Sequence, residues 1–166
     1  MNFSKLKPLG LKYLPGLAGG LAALALAGCM SFGGGGGGGA LPVGLTAPMD
    51  VPGASLDRIQ AISIINQYRA TTGAAPLISD TGLDASAQLL AKQYAETGTA
   101  PRQPAEVVAV RYSAGYQNFA ETFSGWRNSA PDAAALANPT ARRAGVAVMH
   151  NPSSAYGVYW VLVLAN

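Results

Sequence analysis

Apolar residues recur at helical spacing in two segments that follow a glycine-rich N-terminal region. In residues 55–73 they stand three or four positions apart, as Leu56, Ile59, Ile62, Ile65 and Tyr68. Side chains at this spacing share one face, which predicts an α-helix with Ser55 as N-cap and Gly73 at its end. The same spacing predicts a second helix from Asp80 to Gly98.

A third helix is predicted in the stretch "NFAETFSGWRNS". Phe119, Phe123 and Trp126 follow the i, i+4, i+7 spacing of one helical face. Asn118 and Glu121 have the spacing of a capping box, in which each side chain bonds the backbone N–H of the other residue. The helix is therefore expected to begin at Asn118 and to pack through its aromatic face.

The remaining patterns are those of β-strands. A short strand is predicted in "EVVAVRY", and "AGVAVM" alternates with Val146 and Val148 on one face. The stretch "YGVYWVLVLA" is apolar on both faces, as expected of a strand covered on two sides. Between the last two strands, "HNPSSA" has turn chemistry and places His150 in an exposed turn. Helices on both sides of such a sheet predict an α+β fold, a three-layer α-β-α sandwich.

The N-terminal segment carries targeting signals. Lys5, Lys7 and Lys12 precede an apolar stretch that ends in "LAGC" at Cys29. This order is typical of a secretory signal peptide, predicted here as residues 1–28. A membrane-spanning anchor is the alternative, but a span needs about 20 apolar residues, and this stretch is shorter and contains proline and glycine.

The sequence "LAGC" resembles the bacterial lipobox. The resemblance implies cleavage before Cys29 and attachment of a diacylglyceryl group to its thiol, which would make the membrane a partner through a lipid anchor. Met30 follows the cysteine, and in a Gram-negative cell the lack of aspartate there implies sorting to the outer membrane. Residues 29–54, with a run of seven glycines, are predicted to be a flexible tether to a domain at 55–166.

The distribution of charge excludes a nucleic-acid partner. The chain holds 11 Lys and Arg residues against 8 Asp and Glu residues, and three of the lysines precede Cys29. The rest of the chain is therefore close to neutral, without the basic patch that nucleic acid requires. Because Cys29 is the single cysteine, no intramolecular disulfide can form.

Three stretches together resemble the CAP superfamily, the SCP-like family of cysteine-rich secretory, antigen 5 and pathogenesis-related 1 proteins. The first matches an "N-x-x-R-x-x-x-G-x-x-P-L" pattern at Asn66 and Arg69, and the second matches "W-x-x-S-x-x-H" at Trp126 and Ser129. The third, "RRAGVAVMHNPSSAYGVYWVLVLA", is similar to the final hairpin of the family. The resemblance implies the same α-β-α sandwich.

The resemblance also implies a cavity commonly lined by two histidines and two acidic residues, sometimes with a divalent metal. Here Asp132 stands where the last of these histidines belongs, and the Gly-Glu-Asn triplet falls near Ala109, Val110 and Arg111. No histidine lies near "TAPRQ", where the first is expected, and His150 is the only histidine in the chain. We therefore predict a degenerate cavity with no metal and no cofactor.

Glu121, Ser129 and Asp132 are the candidate catalytic residues. Ser129, Asp132 and His150 have the chemistry of a hydrolytic triad, but no nucleophile-elbow motif accompanies them. Structural roles are favoured for each: Glu121 as a capping residue, Ser129 as a helix-end polar group and Asp132 as a first-turn carboxylate.

Two other motif residues are also interpreted as structural. Arg69 is expected to order loops by bonding carbonyls or a carboxylate, and Trp126 to pack its helix against the sheet.

The predicted function is that of an exported, lipid-anchored CAP-like protein without enzymatic activity. It would act as an envelope module that binds a protein, a cell-wall component or a small apolar ligand. One alternative is a hydrolase acting on peptide or cell-wall substrates through Glu121, Ser129 and Asp132. A second alternative, allowed by the family resemblance, is lipid or sterol binding.

Overall fold

A computed structural model describes residues 41–166, so the predicted signal peptide and Cys29 lie outside the described residues. Within the described range the chain forms five helices and four strands. In chain order these are α1 Val43–Thr46, α2 Arg58–Thr71, β1 Ile78–Ser79, α3 Thr81–Thr97, β2 Ala109–Ala114, α4 Phe119–Asn128, α5 Ala130–Leu136, β3 Arg143–His150 and β4 Val158–Ala165. None of the described helices combines the length and the apolar character that crossing a membrane requires.

The four strands form one sheet in the order β1-β3-β4-β2. Strand β4 pairs antiparallel with β3 and β2, and β1 pairs parallel with β3. All eight residues of β4 are buried, as the continuous apolar run predicts for a central strand covered on both faces. The register places Leu162 opposite both Val146 and Arg111, which fixes these three residues at one level of the sheet.

The sheet separates two apolar cores. Trp160 and Leu162 face helices α1, α2, α4 and α5, whereas Val161 and Val163 face α3. This division follows from the strand geometry, because successive side chains point to opposite faces. The predicted α+β fold and its α-β-α layers are confirmed.

Helix α3 lies very close to the sheet at Gly145. A Cβ atom at this position would overlap backbone atoms of Leu83 and Asp84. Strand β1 pairs with only the first two residues of β3. The backbone N–H and C=O of Val146, farther along the same edge of β3, bond to side chains instead. Asp84 Oδ1 accepts a 2.9 Å bond from Val146 N, and Arg58 Nε donates a 3.0 Å bond to Val146 O.

The starts of the first two long helices are fixed by aspartate caps. Asp57, rather than the predicted Ser55, accepts a bond from Gln60 N and caps α2. Asp80 caps α3 through Leu83 N, and the predicted end of that helix is confirmed at Gly98, whose φ of 69° is left-handed.

One member of the predicted apolar face of α2 is not part of the core. Ile59 is 77% exposed, so its assignment to the buried face is wrong. It borders a shallow hollow beside the two-residue strand β1, together with Leu77 and Ser79. Ile62 and Ile65, on the same predicted face, are buried as expected.

The folded domain begins before Ser55, which corrects the predicted tether at residues 29–54. Leu45 and Met49 are 2% and 3% exposed and belong to the core beneath α2 and α4. Met49 N also donates a 2.8 Å bond to Gln117 O. Glycine and proline suggested a tether, but two apolar side chains four residues apart are enough to fix this segment when a core is available beneath it.

Candidate functional site

An ion pair joins the residues at the position predicted for the cavity. Arg111 on β2 donates from Nη1 to Asp132 Oδ1 on α5 at 2.9 Å. The two side chains are 24% and 25% exposed, so the pair is largely withdrawn from water. Asp132 lies in the first turn of α5, where the helix dipole also favours a carboxylate.

The neighbouring positions do not supply metal ligands. Val110 points away from Arg111 into the core beneath α3, because adjacent residues of a strand face opposite sides. In residues 41–166 no three His, Cys, Asp or Glu side chains come together in a way that could hold a metal ion. With Asp132 already bonded to a guanidinium group, these residues do not fit a histidine-carboxylate metal site.

Glu121 occupies the N-terminus of α4 and serves as a cap. Its backbone N donates a 3.0 Å bond to Asn118 Oδ1, as the capping-box spacing predicts. Its carboxylate accepts a 3.3 Å bond from Gln117 N, whereas the prediction named Asn118 N. The carboxylate thus reaches back to the N–H group of the residue that precedes the N-cap Asn118.

Of the four residues considered for catalysis, Ser129 and Asp132 share the start of α5, whereas the other two lie elsewhere. Ser129 follows the last turn of α4, about 12 Å along the helix axis from Glu121. Asp132 is bonded to Arg111 on β2. His150 lies on β3, two strands away from β2 in the sheet order.

The position of His150 also corrects a prediction. It ends strand β3, pairs with Val158 and is partly buried, so its placement in an exposed turn is wrong. It stands four residues beyond Val146, which is level with Arg111, and this offset alone is about 13 Å along the strand. A triad of Ser129, Asp132 and His150 is therefore not assembled.

The motif arginine on α2 orders two connections, the one between α2 and β1 and the one between α5 and β3. Arg69 is fully buried and donates to four backbone carbonyls: Ala75 at 2.7 Å, Leu136 at 2.5 Å, Asn138 at 3.2 Å and Ala141 at 3.1 Å. Burial lowers the pKa of Arg69 below its ordinary value, and the charge of Arg142 lowers it further. The guanidinium group acts as a hydrogen-bonding centre for segments far apart in sequence.

Two further motif residues bond neighbouring backbone groups. Asn66 accepts a 2.8 Å bond from Leu77 N and donates a 2.9 Å bond to Leu77 O, which holds the segment leading into β1 against α2. Trp126 is buried and donates from Nε1 to Tyr112 O at 3.2 Å, tying α4 to β2. Both side chains thus supply hydrogen-bond partners to backbone groups outside their own helices.

A groove lies between α2 and α4. Its volume is about 430 Å³. It is lined by Leu41, Ile64, Gln67, Tyr68, Thr71, Ala120, Phe123, Ser124 and Arg127. The rings of Tyr68 and Phe123 meet edge to face at 6.2 Å, and the Arg127 guanidinium lies 5.2 Å from the centre of the Phe123 ring.

The chemistry of the groove is apolar with a cationic rim. Ile64, Tyr68, Ala120 and Phe123 provide the walls, and Arg127 is the only charged side chain that lines it. The sequence patterns did not predict this groove. Tyr68 and Phe123 were each expected on a core-facing helix surface, and the distance between the two helices determines whether such surfaces touch or leave a gap.

The sequence model described as "CAP: Cysteine-rich secretory protein family" matches residues 62–164. The chain is a member of the CAP family. No match was found among curated proteins.

Solved structures of CAP domains have the same fold. A cysteine-rich secretory protein from Staphylococcus aureus aligns with a TM-score of 0.50 and 16% identity, covering 65% of this chain and 38% of that chain. An extracellular protein containing an SCP domain from Bacillus anthracis aligns with a TM-score of 0.53 and 15% identity, covering 66% and 40%. MpPR-1i aligns with a TM-score of 0.52 and 15% identity, covering 64% and 84%. At these identities the likeness shows the fold alone.

Membership of the CAP family sharpens the meaning of the ion pair. The motif resemblance predicts that Asp132 stands at the histidine position of the family and that Arg111 lies in the segment of its Gly-Glu-Asn triplet. In this CAP domain the guanidinium group of Arg111 faces the carboxylate of Asp132. The recognisable motif residues Asn66, Arg69 and Trp126 hold the fold together through backbone bonds.

Proposed function

We propose that this CAP protein is an exported, lipid-anchored envelope protein that binds a small apolar ligand without enzymatic activity. The groove between α2 and α4 is the observation that supports the binding role. Its volume of about 430 Å³ falls within the range of about 300–1,000 Å³ that is usual for small-molecule sites. Apolar walls with one charged group at the rim suit a ligand with an apolar chain and an anionic head, such as a fatty acid.

The arrangement of the groove supports this class of ligand. Burial of an apolar chain against Ile64, Tyr68 and Phe123 removes hydrocarbon surface from water on both sides of the contact. Arg127 is exposed at the rim and can donate bidentate bonds to a carboxylate. Because the Phe123 ring already supports this guanidinium group, its orientation is partly set before a ligand binds.

The non-enzymatic role is supported by the separation of the candidate catalytic groups. A nucleophilic serine requires a base within hydrogen-bonding distance, and His150 lies on a strand remote from Ser129 and Asp132. Glu121 is bonded to backbone at the opposite end of α4 from Ser129. These positions favour binding over hydrolysis through this set of residues.

A fluorescence titration with the fatty acid cis-parinaric acid tests the binding role. Gln67→Trp would place a large ring in the groove, and Gln93→Trp makes the same change at an exposed position on α3. We expect saturable binding to the natural chain and to Gln93→Trp, and loss of binding in Gln67→Trp. Equal binding by both variants, or no saturable binding by the natural chain, would overturn the proposal.

Mass spectrometry of the membrane fraction tests the anchor. The motif at Cys29 predicts a mature chain that begins at this residue and carries a diacylglyceryl group on its thiol. Cys29→Ser is expected to leave the precursor unprocessed by the lipoprotein pathway. An unmodified Cys29 on the mature natural chain would contradict the anchor, while the titration above would still decide the binding role.

A further inference from the structure

The chain enters the folded domain at the groove. Leu41 lines the groove between α2 and α4, and helix α1, which follows directly, packs against both of these helices. Leu45 is buried in the core, so this entry point is held in place. The end of the segment that comes from Cys29 and the groove therefore share one face of the domain.

This face carries apolar side chains that the domain leaves exposed. Val43 is 80% exposed and Leu41 is 46% exposed. Both precede Leu45, which is buried, so the start of the domain presents apolar side chains to the core and to the outside. No acidic residue lines the neighbouring groove, and Arg127 is basic. Exposed apolar residues beside a basic group suit the surface of a bilayer that contains anionic lipid.

The corrected domain boundary limits how far this face can lie from the membrane. Only residues 30–40 separate Cys29 from Leu41. A chain of that length spans at most about 40 Å even when fully extended, compared with about 90 Å for the tether predicted at 29–54. A domain of this size is about 35 Å across. An anchor at Cys29 would thus keep the entry face within about one domain diameter of the lipid.

We propose that Leu41, Val43 and the rim of the groove at Arg127 form a surface that docks on the phospholipid bilayer carrying the anchor. This inference rests on the proposed function, which supplies the lipid anchor at Cys29. Docking places the groove opening against the bilayer, so that an acyl chain of a membrane lipid enters the groove along the Tyr68 and Phe123 side chains without passing through water. The ligand of the groove is then drawn from the membrane itself.

Attachment makes a weak contact sufficient. A short linker turns docking into an intramolecular event with an effective concentration in about the millimolar range. Two partly exposed apolar side chains and one basic group are a small surface, which alone would give little binding of a free domain to vesicles. The anchored chain is therefore expected to dock, and an unanchored chain to bind the same vesicles poorly.

Site-specific fluorescence on the full mature chain tests this surface. An environment-sensitive dye is placed on Val43→Cys and, as a matched control, on Leu89→Cys, which replaces a 70% exposed leucine of α3 on the opposite layer of the sandwich. A lipidated Cys29 has no free thiol, so each variant takes a single dye. The chains are reconstituted into vesicles of phosphatidylethanolamine and phosphatidylglycerol.

We expect a blue shift and increased emission from the dye at Val43→Cys, no change at Leu89→Cys, and loss of the shift when Leu41→Glu is added. Ile59→Glu, which changes another exposed apolar residue, should leave the shift intact. No shift at Val43→Cys, or equal shifts at both dyes, would overturn the docking surface.

The attachment is checked separately. If mass spectrometry shows an unmodified Cys29, the proposed anchor fails. The same measurement is then made with Cys29→Ser and an N-terminal histidine tag on nickel-lipid vesicles. The shift at Val43→Cys is still expected in that case, because the tagged N-terminal segment joins the domain at the same face. Absence of the shift would overturn the docking surface independently of lipidation.

Discussion

The Arg111 guanidinium lies 2.9 Å from the Asp132 carboxylate and joins the edge strand β2 to the start of α5. Each group neutralises the charge of the other, and neither charge is left unpaired where it is largely withdrawn from water. The Nε atom of Arg111 is also buried and has no partner among the described residues, so the guanidinium group depends on Asp132 for its compensation.

The two members of this pair should not contribute independently to stability. Asp132→Ala leaves the largely buried Arg111 uncompensated, and we expect a loss of about 2 kcal/mol in the free energy of unfolding. The double variant Arg111→Met and Asp132→Ala should be less destabilised than the sum of the single variants, with a coupling of about 1 kcal/mol. Urea unfolding of the four chains measures the coupling, and strictly additive losses would contradict it.

Arg69 should tolerate no substitution, including lysine. Its planar group reaches four carbonyls in two connections, whereas the ammonium group of lysine cannot present donors in that arrangement. We expect Arg69→Lys to lower the free energy of unfolding by about 3 kcal/mol because carbonyls are left buried without donors.

Arg102 provides the matched control for this substitution. It is exposed, and Arg102→Lys should change the stability by less than about 0.5 kcal/mol. Chemical denaturation compares the two variants. A similar small effect in both would show that the carbonyls around Arg69 find other donors.

Gly145→Ala should be severely destabilising because of the close approach of α3. A methyl group there meets backbone atoms of Leu83 and Asp84, which cannot move without shifting the helix. We expect a cost above about 3 kcal/mol. Gly98→Ala is the comparison: the residue has open space but a φ of 69°, so strain alone should cost about 1 kcal/mol. Thermal unfolding ranks the two, and the reverse order would contradict the packing argument.

Acid should weaken the domain partly through Asp80. Its carboxylate accepts a bond from Leu83 N, lies 2.7 Å from Arg143 Nη1, and these contacts hold its pKa below the usual range. A depressed pKa in the folded state stabilises the fold above the unfolded pKa of about 4, and this contribution is lost as the pH falls through the folded pKa.

The comparison of Asp80→Asn with the natural chain measures this contribution. The variant is expected to be less stable at neutral pH and to lose less stability between neutral pH and pH 3. Urea unfolding at a series of pH values gives both quantities. Parallel pH profiles for the two chains would remove Asp80 as a source of the acid sensitivity.

The sequence predicted correctly those helix ends that are determined by interactions between residues close in sequence. The start of α4 at Asn118 and the end of α3 at Gly98 depend on bonds and backbone angles within a few residues, and both were predicted. The N-cap of α2 and the position of His150 were wrong by a few residues, because several polar residues could serve as cap or turn and the sequence does not rank them.

The sequence by itself determined the CAP fold, the buried character of β4 and the loss of the histidines expected in the family cavity. The CAP fold follows from the order and spacing of the motifs that resemble the family, the burial of β4 from its continuous apolar run, and the loss of the histidines from residue identity.

Only the tertiary structure decided that Asp132 pairs with Arg111, that Leu45 and Met49 extend the domain into the predicted tether, and that α2 and α4 stand far enough apart to leave a groove. Each of these depends on the distance between elements remote in sequence. That distance is set by the packing of the whole core, which no single stretch of sequence specifies.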